Sequence, residues 1–221
     1  MRTILIVLAA LGLGACNEVY SRTPLLPETF QQGDPQLRSG LWQLSDGAAF
    51  NCPFDIRQRI ARWPDCAVAF DYRSGQFWAV SRRQRIQAFS VRLAPGEPIL
   101  VQEHWSLDAL KDPRTPEPVN ADNPLFGWSY SALTVVKTDA ADRITEAKMV
   151  EAQCGPLPAN ADPAAADGKP RRASVSDRPF PGLTIVGADC VAKDLDAVRT
   201  ALSLSASLGE PQTIRWIRDE P

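Results

Sequence analysis

Histidine is all but absent from this sequence: His104 is the only one in 221 residues. That excludes a His-Glu-x-x-His metal set, and any Ser-His-Asp site must be built on this single ring. A Gly-x-Ser-x-Gly elbow is also missing, since Gly127-Trp128-Ser129-Tyr130-Ser131 lacks the final glycine, and no Ser-x-x-Lys occurs. The cysteines are not closely paired with each other or with histidine as zinc ligands are, so neither metal nor cofactor is expected. No sign of charge dominates: 24 basic residues face 26 acidic ones. A nucleic-acid partner, which calls for a basic excess, is not expected. No apolar run reaches the roughly 20 residues of a membrane-spanning helix, and no repeat recurs at a fixed period.

What is present points to an interrupted, turn-rich fold. Nineteen prolines and thirteen glycines break the chain into short elements. Six tryptophans are generous for this length. They read first as core filling, because each ring buries a large area.

The N-terminus carries an address. Met1-Arg2-Thr3 supplies one positive charge, Ile4–Leu13 is almost unbroken apolar sequence, and Gly14 and Ala15 follow. This is the order of a signal peptide. Its last residues, Leu13-Gly14-Ala15-Cys16, resemble the lipobox of bacterial lipoproteins. The resemblance covers about sixteen residues and implies diacylglyceryl transfer to the Cys16 sulfur, cleavage between Ala15 and Cys16, and a membrane anchor. Two or three acyl chains on one residue hold stably where one holds only marginally. The implied place is the bacterial cell envelope. Asn17 after the cysteine, where family knowledge associates Asp with inner-membrane retention, leans it towards the outer membrane, facing the periplasm.

Five cysteines are present, an odd number. Assigning Cys16 to lipid leaves Cys52, Cys66, Cys154 and Cys190, an even set suited to an oxidising compartment. The favoured pairs are Cys52–Cys66 and Cys154–Cys190, each local in sequence.

Residues 1–15 are thus read as signal peptide, 16–39 as lipidated cysteine and flexible tether, and 40–221 as one globular domain. A short strand is predicted at Leu41–Leu44. A helix is predicted over Phe54–Trp63, with Ile56 and Ile60 on one face. Period-two alternation then predicts a hairpin turning at Arg73-Ser74-Gly75-Gln76, a second between 85–93 and 98–105, and a third turning at Asp139–Asp142. Residues 111–127 form a proline-rich loop and 155–181 a long mobile one. Leu183–Val186 is a strand. Asp194 caps a helix to Leu208 whose apolar stripe is Leu195, Val198 and Leu202. Ile214 and Trp216 lie on a last strand. The expected class is α+β: a mostly antiparallel curved sheet of roughly six to nine strands, one C-terminal helix and one or two short helices.

Function is weakly constrained. The first expectation is a non-enzymatic envelope lipoprotein, a structural or interaction module docking an envelope protein through an exposed apolar patch. The second is a binder of a small apolar ligand or lipid, with Trp42, Trp78, Trp105 and Trp128 lining its pocket. The third is a hydrolase centred on His104. Asp65, Asp71 and Glu103 are carboxylates on or near the sheet. Arg82, Arg83 and Arg85, and separately Lys169, Arg171 and Arg172, are basic clusters that read as solvated or as contacts for anionic headgroups.

Overall fold

The computed structural model describes residues 17–27, 29–43, 54–105, 127–158 and 175–219. The expected signal peptide, Cys16, Cys52, the loop around 111–126 and the stretch with Lys169, Arg171 and Arg172 lie outside them. Among the described residues the strands are β1 (Val19–Ser21), β2 (Gly40–Gln43), β3 (Ala69–Arg73), β4 (Gln76–Val80), β5 (Arg85–Ala94), β6 (Ile99–Trp105), β7 (Trp128–Thr138), β8 (Ile144–Glu151), β9 (Leu183–Val186), β10 (Asp189–Ala192) and β11 (Gln212–Arg218). The α-helix is α1 (Leu195–Ser205).

The expected open, curved α+β sheet is not what forms. Strands β2 to β8 run as an antiparallel meander, and β11 inserts between β8 and β2. The result is a closed barrel of eight antiparallel strands in a mostly β domain. Closure depends on hydrogen bonds between β11 and two strands far away in sequence. Local periodicity cannot report such pairing, yet it removes both edges of the sheet.

Side chains that alternate inward fill the barrel. Trp42, Phe70, Tyr72, Phe77, Phe89, Val91, Leu93, Val101, Leu133 and Ile214 belong to one buried cluster. Arg73, Arg85, Arg92, Lys148 and Arg215 lie on strands of the same barrel and outside that cluster. An apolar interior is the reverse of a membrane-spanning barrel, whose apolar band faces outward. No helix among the described residues is long and apolar enough to cross a membrane, a statement that says nothing of strands.

Strand β7 extends beyond the barrel. Its first residues pair with β6 on one flank and with β1 on the other. Parallel β10 and then β9 continue outward from β1. Helix α1 packs Ala197, Val198, Ala201 and Leu202 over the outer face presented by Leu100, Tyr130 and Ala132. Cys154, just after β8, is disulfide-bonded to Cys190 on β10 and so ties this layer to the barrel. Cys66 is also disulfide-bonded.

Two local expectations are corrected. The segment read as a tether belongs to the body from its first described residue. Asn17 is 2% exposed; its Nδ2 donates to the Gly155 carbonyl at 2.7 Å and its Oδ1 accepts from the Ser176 amide at 3.0 Å. Val19, Leu26 and Leu37 are buried. Residues 54–63 form a single 3₁₀ turn, Ile60–Arg62, in place of a helix. The Gln58 carbonyl, which an α-helix would offer to the Arg62 amide, accepts from Trp63 Nε1 at 3.0 Å, and the Arg62 amide donates to Arg59 at 2.8 Å. Phe54, Ile56 and Ile60 still pack, against a cluster of Leu41, Trp63, Ala67 and Ala69 on the outside of the barrel.

Candidate functional site

The barrel is plugged in one part and hollow in another. Phe77 stacks on Phe89 at 4.9 Å between ring centroids, and Phe89 packs on Trp105 at 4.8 Å. Beside these rings lies a cavity of about 90 Å³, walled by Leu37, Phe77, Phe89, Val91, Leu93, Val101, Trp105, Leu133, Met149 and Ile214, with Glu103, Glu151 and Gln212 as its polar lining. Strand alternation places these residues. Val101 is followed two residues on by Glu103 and then by Trp105, and Met149 is followed by Glu151, so each inward row ends on a carboxylate or an amphipathic ring.

Register brings the carboxylates together. β7 lies between β6 and β8, and its Ser131 faces Val101 on one side and Glu151 on the other. Ser131 Oγ donates to Glu103 Oε1 at 3.1 Å. Burial raises the Glu103 pKa from 4.5 to about 7, with repulsion from Glu151 adding to it and the Ser131 bond opposing it. Burial also raises Glu151, which is reached by water yet closely surrounded by protein. Glu18 on the short approach to β1 is pushed up to about 8 by burial and then by Glu151, Asp189 and Glu103. Asp189 is raised by burial, although its carboxylate accepts from the Glu18 amide at 3.1 Å. Among the described residues no lysine or arginine forms an ion pair with Glu18, Glu103 or Glu151, and no group of three or more His, Cys, Asp or Glu is placed to hold a metal.

The four tryptophans expected to line one pocket are dispersed. Trp105 lines the cavity. Trp42 is fully buried in the filled part of the barrel, with Nε1 donating to the Arg38 carbonyl at 2.8 Å. Trp78 lies under the Arg85 guanidinium, 5.3 Å from its centroid. Trp128 stacks on His104 at 4.6 Å. His104 neighbours Glu103 in sequence and therefore projects from the opposite face of β6, away from the lumen.

The first basic cluster has local partners. Arg82 and Arg83 both pair with Asp65, and Arg85 pairs with Asp71. Arg73 reaches the same Asp71 oxygen at 3.1 Å. Asp71 is fully buried, and its other oxygen has no hydrogen-bond partner. These arginines therefore offset carboxylates before any headgroup does, and β5 is no exposed edge for them to guard. Glu18, Glu151 and Gln212 were not legible as site residues. The one local sign is a period-two apolar row that continues onto an acid, as at Val101-x-Glu103 and Met149-x-Glu151.

No family model, curated protein or solved structure matches this chain.

Proposed function

We propose that this chain is a lipid-anchored envelope protein whose barrel binds a small apolar ligand. The observation that carries the reading is the apolar cavity inside a closed eight-stranded barrel, an architecture wide enough to hold side chains or one small ligand. Its volume suits a chain of a few carbons or one small ring, since an engineered apolar cavity of about 150 Å³ accommodates benzene. A docking role would call for a contiguous exposed apolar patch. The exposed large apolar side chains among the described residues are Phe30, Val135, Val136, Leu157, Ile185, Leu204 and Leu208; Val135 and Val136 alternate to opposite faces of β7, and scattered exposures are ordinary.

The anchor rests on Leu13-Gly14-Ala15-Cys16 and on cysteine parity. The Cys154–Cys190 bond and the bonded Cys66 suit an exported protein, and Cys52 is the proposed partner of Cys66. A lipid on Cys16 would hold the barrel against the membrane without a spacer, because Asn17 is already built into the body. The same bonds supply a structural reason for asparagine at this place, which weakens its weight as a sorting signal. The proposed place is the outer membrane, facing the periplasm.

Two measurements test the reading. The full chain titrated with butan-1-ol and followed by amide NMR is expected to shift Phe89, Val101, Leu133 and Met149. Leu133→Trp, and independently Val101→Phe, fill the lumen and abolish those shifts. Shifts that survive both fillings would sink the lumen reading. Intact mass from the native membrane is expected to show a chain starting at Cys16 with added acyl mass. A chain retaining residues 1–15 overturns the anchor.

A further inference from the structure

We infer that the ligand of this lumen is a small amine, its apolar part among Phe89, Leu93, Val101 and Leu133 and its ammonium group between the carboxylates of Glu103 and Glu151. The inference rests on the lumen reading above and adds the head group to it.

The lining itself carries the case. Among the described residues its ionisable side chains are Glu103 and Glu151, both acids, set with Gln212 at one part of a mainly apolar wall. They project from the two strands that flank β7, offset by two residues along it, with backbones roughly 12 Å apart at about 4.8 Å per strand and 3.4 Å per residue. Carboxylates reaching inward from that separation leave room for one small cationic head. Glu103 has a single donor in Ser131, and Glu151 has no hydrogen bond or ion pair among the described residues. Glu18, just before β1, lies near both, and each of them repels its charged form. Trp105 closes the same region with an aromatic ring, a face that favours a cation. An anionic head would be repelled there. A neutral head would bring these acids no counter-charge. An ammonium group satisfies both.

Binding has a proton signature. A carboxyl that holds its proton through burial and repulsion gives it up when the ammonium arrives: Glu–COOH and R–NH₃⁺ become Glu–COO⁻···⁺H₃N–R and one released proton. Proton release is therefore expected near pH 6, where Glu103 is mostly protonated, and is expected to fade by pH 8.

The test compares butylamine, butan-1-ol and butyrate, which share a chain and differ in the head, on the full chain. Affinities come from amide NMR titration and released protons from titration in weakly buffered solution. The amine is expected to bind at least tenfold more tightly than the alcohol at pH 8. Combined Glu103→Gln and Glu151→Gln substitution should remove that preference and the proton release. An alcohol bound as tightly as the amine, or butyrate bound best, overturns the amine inference and leaves the lumen reading standing. If none of the three binds, the lumen reading falls and this inference with it.

Discussion

Glu103 shows how one residue can couple function to stability. Its neighbours Val101 and Trp105 face an apolar lumen, so strand alternation forces a carboxyl inward with them. Its native pKa of about 7 lies above its ordinary 4.5. The native state therefore keeps a proton that the unfolded chain loses, and the stability this group contributes is full below about pH 4.5 and declines as the pH rises to about 7. Glu18, pushed to about 8, extends the decline by a further unit. Glu103→Gln is expected to gain about 1–3 kcal/mol over the parent at pH 8 and little at pH 4.5, read from urea unfolding at both values. An equal change at both pH values would show that the carboxyl is not held protonated by its surroundings. Asp71 is fully buried as well, and Arg73 and Arg85 pair with it.

At the scale of elements, the turns follow local chemistry and the closing pair does not. Ser74 and Gly75 adopt φ of 48° and 80°, the left-handed pair that a tight hairpin requires, and the sequence names that turn directly. Asp194 caps α1 by accepting from the Ala197 amide at 2.8 Å, as its position predicts. The helix ends earlier than expected, and the expected stripe faces inward: Val198 and Leu202 are buried with the small Ala197, Ala201 and Ser205 beside them, whereas Leu204 and Leu208 are exposed. Small residues win because α1 lies close on the outer wall of the barrel. The joint between β2 and β11 hangs on Gly40, at φ 123°. A Cβ there would collide with the Arg218 carbonyl and stand 2.8 Å from Trp216 Nε1. Gly40→Ala is expected to cost roughly 2–3 kcal/mol, and hydrogen exchange should quicken first in β2 and β11. Uniform destabilisation of all strands would argue against Gly40 as the lock of this joint.

For the whole molecule, the barrel and the layer outside it are joined by covalent and buried contacts. The Cys154–Cys190 bond closes a separation of 36 residues, which contributes about 2–4 kcal/mol in the usual range for such cross-links. Cys154→Ala with Cys190→Ala is expected to lower stability by that amount and to expose the amides of β1, β9, β10 and α1 to exchange before those of the barrel. Simultaneous loss of protection everywhere would mean that barrel and outer layer unfold as one unit.

The amino-acid order alone determined the hairpins at 69–80, 85–105 and 128–151 and the capped helix, and it favoured the Cys154–Cys190 pairing, because each depends on neighbours or on simple counting. It also carries the lipobox resemblance, a motif read entirely from consecutive residues. Only the tertiary structure decided that the sheet closes, that Asn17 and the strand Val19–Ser21 are built into the body, and that 54–63 packs without forming a helix. The tryptophans part company for the same reason: a closed wall has an inside and an outside, and period-two alternation does not say which is which until β11 joins β8 to β2. That closure turns Glu103 and Glu151 from two distant acids on separate strands into the polar lining of one cavity.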